Sequence, residues 1–181
     1  ATLSSTRSLW FDEQFGRLNN EGKGQLLGAF EPTEQLLVIY NDGYYEVCDQ
    51  GLTQKFDAEK VLLIEKFNPD SILTAVYVDM DKKQYLVKRF KIETSTLGTK
   101  FCFIKEGDGN YVEAITTDME PILTMQQGRG AQLRKAKLKL LKIAPVSGWK
   151  TVGTKLADYN KSTEMEWVKT TTSSGKLPEL F

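Results

Sequence analysis

Three stretches of the chain repeat one plan. Residues 30–47 read FEPTEQLLVIYNDGYYEV, residues 67–87 read FNPDSILTAVYVDMDKKQYLV, and residues 118–133 read DMEPILTMQQGRGAQL. Each begins at an acidic or proline-bearing turn, runs through β-forming residues, breaks at a polar turn and resumes in a second run. In LLVIYNDGYYEV the break is Asn41-Asp42-Gly43, residue types that tolerate the positive φ of tight hairpin turns. Leu36, Val38 and Tyr40 then share one face of a strand.

A short apolar strand precedes a turn signal in every copy: Leu26–Phe30, Val61–Ile64 and Tyr111–Ile115. Each follows a polar corner, at Gly22-Lys23-Gly24, Asp57-Ala58-Glu59-Lys60 and Gly107-Asp108-Gly109, with a fourth corner read at Ser147-Gly148-Trp149-Lys150. Beyond it come Val152–Leu156 and a weak hairpin echo at Thr163–Val168, and TLSSTRSLWF (2–11) echoes TSTLGTKFCF (94–103). The spacing predicts about four units of roughly forty residues, the period of propeller-type repeats. The competing architecture is a non-repeating barrel or sandwich of hairpins. Expected units are 1–50, 51–93, 94–140 and 141–168, forming one all-β domain over 1–168. The Thr/Ser/Gly-rich end, 169–181, is expected to be a flexible tail.

The segment AQLRKAKLKLLKIA (131–144) is ambiguous. Leu133, Ala136, Leu140 and Ile143 fit a helix, whereas Ala136, Leu138 and Leu140 alternating with Lys135, Lys137 and Lys139 fit a strand with a basic face. The repeat register favours the strand.

Composition removes most chemistry. The chain has no histidine, which excludes Ser-His-Asp and Cys-His catalysis and His-bearing metal sites. Cys48 and Cys102 form no CxxC and read as packed thiols of a reducing cytoplasm. No Walker A loop or GxGxxG occurs. No apolar run spans a bilayer, so no membrane partner is expected. The start lacks Met and a signal-peptide core, so the chain reads as the interior of a longer protein.

Lys plus Arg equals Asp plus Glu, 24 each, yet the charges are segregated. Residues 128–142 hold Arg129, Arg134, Lys135, Lys137, Lys139 and Lys142 and no acid, whereas 106–120 hold five acids and no base. A second basic cluster is Lys82, Lys83, Lys88, Arg89 and Lys91. Such runs are commonly just solvated faces. Here the lysines line up on one side of an expected strand, a pattern suited to phosphates rather than base edges. The strand tyrosines Tyr40, Tyr44, Tyr45 and Tyr85 are expected between sheets, not against bases.

Taken with these features, WFDEQFGRLNNEGKGQLLGAF, KFNPDSILTAVYVD, RFKIETSTLGTKFCFIKEG and GWKTVGTKL resemble the carboxy-terminal domain of the A subunit of bacterial type IIA topoisomerases, of the topoisomerase IV kind in a Bacteroides-like lineage. The resemblance runs from Leu9 to about Trp167. It implies a β-pinwheel, a propeller-like disc of four-stranded blades exchanging strands, here about four blades of a truncated array, with DNA bent around a basic outer edge. It implies duplex DNA, the rest of the A subunit and the ATPase B subunit as partners, in a cytoplasmic, nucleoid-associated enzyme that decatenates and relaxes DNA. The family's catalytic tyrosine follows an arginine, and no Arg-Tyr pair occurs here, so this chain is expected to be non-catalytic, with no cofactor of its own; ATP and Mg belong to the holoenzyme. Gyrase A subunits carry a Gln-Arg-Arg-Gly-Gly-Lys-Gly box. Here Leu18-Asn19-Asn20-Glu21-Gly22-Lys23-Gly24 keeps only the last three residues, which favours topoisomerase IV over a gyrase wrapping domain. The expected DNA contacts are Arg129, Arg134, Lys135, Lys137 and Lys139, then Lys23, Lys150 and Lys155 at corners. The reading from another class is a propeller-like protein-binding module that docks through 106–120.

Overall fold

LLVIY and LTAVYVD are apolar at nearly every position because both faces of each strand are buried. The computed structural model describes residues 6–94 and 96–168; the tail expected at 169–181 lies outside the described residues.

Followed along the chain, one rule of assembly recurs. β1 (Arg7–Asp12) and β2 (Arg17–Asn19) form a hairpin, and β3 (Gln25–Phe30) returns to pair with β1. β4 (Leu36–Tyr40) and β5 (Tyr44–Cys48) form the second hairpin. The chain then touches back on the first sheet through the Arg17–Lys55 bridge before β6 (Val61–Lys66) pairs with β4. β7 (Leu73–Asp79) and β8 (Gln84–Phe90) form the third hairpin, after which β9 (Phe101–Cys102) is laid on β5 and β10 (Tyr111–Thr116) on β7. β11 (Ile122–Gln127) and β12 (Arg134–Lys139) form the fourth, closed by a one-turn helix, α1 (Leu140–Ile143). β13 (Val146–Ser147) and β14 (Thr154–Asp158) are then laid on β8, and β15 (Glu164–Trp167) pairs with β11. Each hairpin therefore lends the chain that follows it to the sheet before it. The four sheets hold three, four, five and three named strands in chain order among the described residues, rather than four each.

Three cores join successive sheets. Leu9, Phe11, Leu18 and Phe30 of the first pack on Leu36, Val38 and Tyr40 of the second. Leu37, Ile39, Tyr45 and Val47, on the opposite face, pack on Leu73, Ala75, Tyr77, Leu86 and Phe90 of the third. Val76, Val78, Tyr85 and Val87 pack on Leu123 and Leu140 of the fourth. The period-two alternation of a strand thus sends successive side chains into two different cores. None of the three cores joins the first sheet to the fourth. Neighbouring sheets also approach through β3 and β6, β6 and β10, and β10 and β15. The sheets come closest along these strands, here termed the inner side; the second strand of each hairpin and the strand lent to it lie on the opposite, outer side.

The pairing corrects two readings of the sequence. The turns that lead into β6, β10 and β15 are closed by Lys60 N–H to Asp57 O (3.0 Å), Asn110 to Gly107 (3.2 Å) and Thr163 to Asn160 (2.9 Å). The fourth corner is therefore Asn160–Thr163. Ser147–Lys150 belongs to a different turn, closed by Thr151 N–H to Gly148 O (3.1 Å), that leads into the lent strand β14. Both turns are rich in small and polar residues, and composition alone does not separate them. The echo between 2–11 and 94–103 likewise joins unlike elements, since Arg7–Asp12 opens a hairpin and Phe101–Cys102 is a lent strand.

Gly43 shows why the hairpin turn needs glycine. Its φ is +90°, and a Cβ there would lie 2.3 Å from the Ile104 side chain. The turn is held on both sides, by Gly43 N–H to Tyr40 O and by Phe103 N–H to Gly43 O.

Candidate nucleic-acid interface

AQLRKAKLKLLKIA resolves into both of its readings. Arg134–Lys139 is strand β12, and the helical spacing of Leu140 and Ile143 belongs to the single turn α1, whose Leu140 is fully buried and donates its N–H to Pro121 O. Register fixes the faces of β12. Leu138 lies opposite Leu123 and Ala136 opposite Met125, on the side of the third sheet. Lys135, Lys137 and Lys139 lie opposite Gln126, Thr124 and Ile122 on the other side, exposed. Arg134 is exposed at the start of the strand and Arg129 at the hairpin tip. Among the described residues no ion pair engages any of these five. β2, β5 and β8 each take a lent segment on the outer side, whereas no strand among the described residues covers the outer edge of β12.

The remaining expected contacts lie elsewhere. Lys23 belongs to the first sheet's corner, which Asn19 holds by accepting from the Glu21 and Lys23 N–H groups (both 3.0 Å) and donating to Lys23 O (2.8 Å). Glu21 sits 4.0 Å from the Lys23 ammonium, and Asn19 and Asn20 stand where the gyrase box has its two arginines. Lys155 is on β14 and pairs with Asp158 at 2.7 Å. Lys150 is exposed, its ammonium 5.2 Å from the centre of the Trp149 ring. The structure thus brings together the five residues on β12 and its tip, but not the three outlying lysines.

The second basic cluster is split by burial. Lys82, Lys83 and Lys91 are exposed. Lys88 is 1% exposed and donates to the carbonyls of Phe103, Trp149 (2.6 Å) and Thr151 (2.6 Å). Burial pulls its pKa down to about 8. Arg89 is also buried, donates to Thr74 Oγ1 and Ala144 O, and has its pKa lowered by burial. Both are internal joints. As expected for the tyrosines, Tyr40, Tyr45 and Tyr85 are buried between sheets. Tyr44 is half-buried, with its hydroxyl 3.3 Å from Glu106.

One cation escaped the sequence reading. Lys161 is exposed in the true fourth corner, which is hydrogen-bonded to the turn end of the β11–β12 hairpin. Gln127 Nε2 donates to Thr163 Oγ1 (3.0 Å) and Gly128 N–H to Ser162 Oγ (3.3 Å). Lys161 therefore stands at the same end of the fourth sheet as Arg129. The signal was Asn-Lys-Ser-Thr, an Asx turn in which Asn160 Oδ1 accepts from Ser162 N–H. The equivalent end of the second sheet carries Asp42, Asp57 and Glu59, with Lys60 3.7 Å from Asp42.

Among the described residues no group of three or more His, Cys, Asp or Glu is placed to hold a metal ion. No described helix is long and apolar enough to cross a membrane.

Comparison with curated proteins finds no match. Among solved structures, the chain is similar to the crystal structure of the C-terminal domain of DNA topoisomerase IV, with a TM-score of 0.64 at 11% identity over 94% of this chain. It spans 63% of the length of that domain. The match supports the all-β pinwheel architecture. The family model for the topoisomerase C-terminal domain of Bacteroidota matches residues 17–163, from the first hairpin to the corner that holds Lys161, and the chain belongs to that family.

Proposed function

We propose that this domain binds duplex DNA for the A subunit of a topoisomerase IV, holding phosphates along β12 and selecting the DNA geometry on which the holoenzyme performs ATP-dependent decatenation and relaxation. The observation that carries this reading is the row of Lys135, Lys137 and Lys139 on one exposed face of an outer strand, extended by Arg134 and Arg129 and, among the described residues, free of ion pairs. Alternate residues of a strand recur about every 6.7 Å, which lets a row of ammonium groups follow successive phosphates of one DNA strand. Such contacts position a duplex without reading its bases.

The partners in this reading are duplex DNA, the rest of the A subunit and the ATPase B subunit, within the cytoplasm. In this reading ATP and Mg belong to other parts of the enzyme. The Glu21–Lys23 corner, lacking both arginines of the gyrase box, supports topoisomerase IV over a strongly wrapping gyrase domain.

Fluorescence anisotropy with a labelled duplex over a series of salt concentrations tests the reading. About five phosphate contacts predict a log–log slope of about −4 to −5, and Arg134→Ala/Lys135→Ala/Lys137→Ala should reduce its magnitude by nearly 3. Weak binding that ignores salt would favour the protein-docking module instead.

A further inference from the structure

The fourth sheet's solvent face carries acids as well as lysines. Register runs across three strands: Lys135 on β12 opposes Gln126 on β11, which opposes Glu164 on β15, and Lys137 opposes Thr124, which opposes Glu166. All four charged residues are exposed, and no ion pair joins them. Two strand spacings, about 10 Å, separate each lysine from its acid, with only Gln126 and Thr124 between. The acids lie on β15, the inner strand, and the lysines on β12, the outer one. The face is therefore polarised from its outer margin to its inner one.

We propose that Glu164 and Glu166 are positioning residues that confine a bound duplex to the outer margin of the fourth sheet. The proposal rests on the DNA-binding reading above and adds the limit of the DNA path. A duplex lying flat across this face would gain the lysines with one part of its backbone and meet the glutamates with another. At about 10 Å the repulsion acts across roughly one Debye length and is only partly screened at physiological salt. The edge of β12, uncovered by any described strand, offers the lysines without the acids. A duplex held there runs along the outer side of the sheets and is kept off the flat face of the fourth sheet.

The experiment uses the full chain with Glu164→Gln/Glu166→Gln. Both residues are exposed, and circular dichroism checks that the fold is retained. Duplex affinity should rise about threefold or more at low salt, the size expected of two like charges removed near a Debye length from several phosphates. A photo-crosslinking residue placed at Gln126, in the middle of the face, should label DNA weakly in the otherwise native chain and strongly when both glutamates are neutral. Glu13→Gln/Glu59→Gln, the same charge change on the first two sheets, should leave crosslinking at Gln126 unchanged. Equal crosslinking with and without the glutamates, or an equal rise caused by the control pair, would overturn the proposal. If native binding depends on Lys135 and Lys137 yet ignores Glu164 and Glu166, this inference fails alone. If binding is independent of the β12 lysines, the DNA-binding reading fails with it.

Discussion

The Lys88 ammonium donates to the carbonyl of Trp149, 61 residues further along the chain, at 2.6 Å. The same nitrogen reaches Thr151 O and Phe103 O. Trp149 in turn packs edge-on against Tyr45 (5.7 Å, 89°) and Phe101 (5.8 Å, 71°) of the second sheet. One side chain of the third sheet thus ties down two returning segments, the end of β9 and the turn between β13 and β14. Strand exchange ends here in a three-way hydrogen-bonded joint.

Lys88→Met keeps the length of the side chain and leaves three carbonyls without that donor. The expected loss is about 3 kcal/mol of unfolding free energy, as for other buried hydrogen-bonded charges. Chemical denaturation of the variant beside Lys91→Met, an exposed neighbour, checks it, since the latter should fall within about 0.5 kcal/mol of the native chain. At a temperature where both variants are folded, duplex affinity should be nearly unchanged by Lys88→Met. A loss as large as that of the β12 triple variant would mean that Lys88 reaches DNA after all.

This joint also marks where local sequence stops being informative. The second, third and fourth hairpins were legible because each pairs two β-forming runs about a polar turn, as at Asn41-Asp42-Gly43 and Gly128-Arg129-Gly130, whereas the first, Arg7–Asn19, was not read as a hairpin. The lent strands were not: β9 and β13 have two residues each, and the contact of Lys55 with the first sheet is a single bridge. Their place depends on where the following hairpin puts the chain, which no short pattern records. Lys88 and Arg89 were misgrouped with the exposed Lys82 and Lys83 because charge was read without strand phase. Lys88 alternates with Leu86 and Phe90, both in the core between the second and third sheets, and that phase predicts burial. On β12 the same rule worked, because Leu138 and Ala136 mark the inward face and leave the lysines outward.

Cys48 gives the stability an alkaline limit. Its thiol is buried between the first two sheets, and burial, helped by Glu46 and Asp49, pushes its pKa from 9.0 up to about 12. The folded value lies above the unfolded one, so this contribution is fully present below pH 9 and is lost as pH rises towards 12. Cys48→Ala should remove that part of the pH dependence, so the stability gap between native and variant chains narrows from pH 8 to pH 11. Tyr77, pushed up to about 12 by burial, keeps its own alkaline dependence in both chains. Urea titrations at the two pH values measure the gap. A gap that stays constant would mean that the Cys48 thiol titrates normally in the folded protein.

The tip of the fourth sheet separates a DNA interface on this sheet from a diffuse attraction to all exposed lysines. Arg129 and Lys161 come from two turns that Gln127 and Gly128 hold together, and no ion pair among the described residues engages either one. Lys150 and Lys155 are equally charged, but one sits over Trp149 and the other is engaged by Asp158. If the duplex follows β12 to its hairpin tip, Arg129→Ala/Lys161→Ala should lower the magnitude of the salt slope by about 2, since each lost phosphate contact removes about 0.9. Lys150→Ala/Lys155→Ala should leave the slope in place and the affinity within about twofold, because an ion-paired surface lysine has less to offer a phosphate. Equal losses from the two pairs in the same anisotropy titration would mean that binding follows net charge and not the fourth sheet.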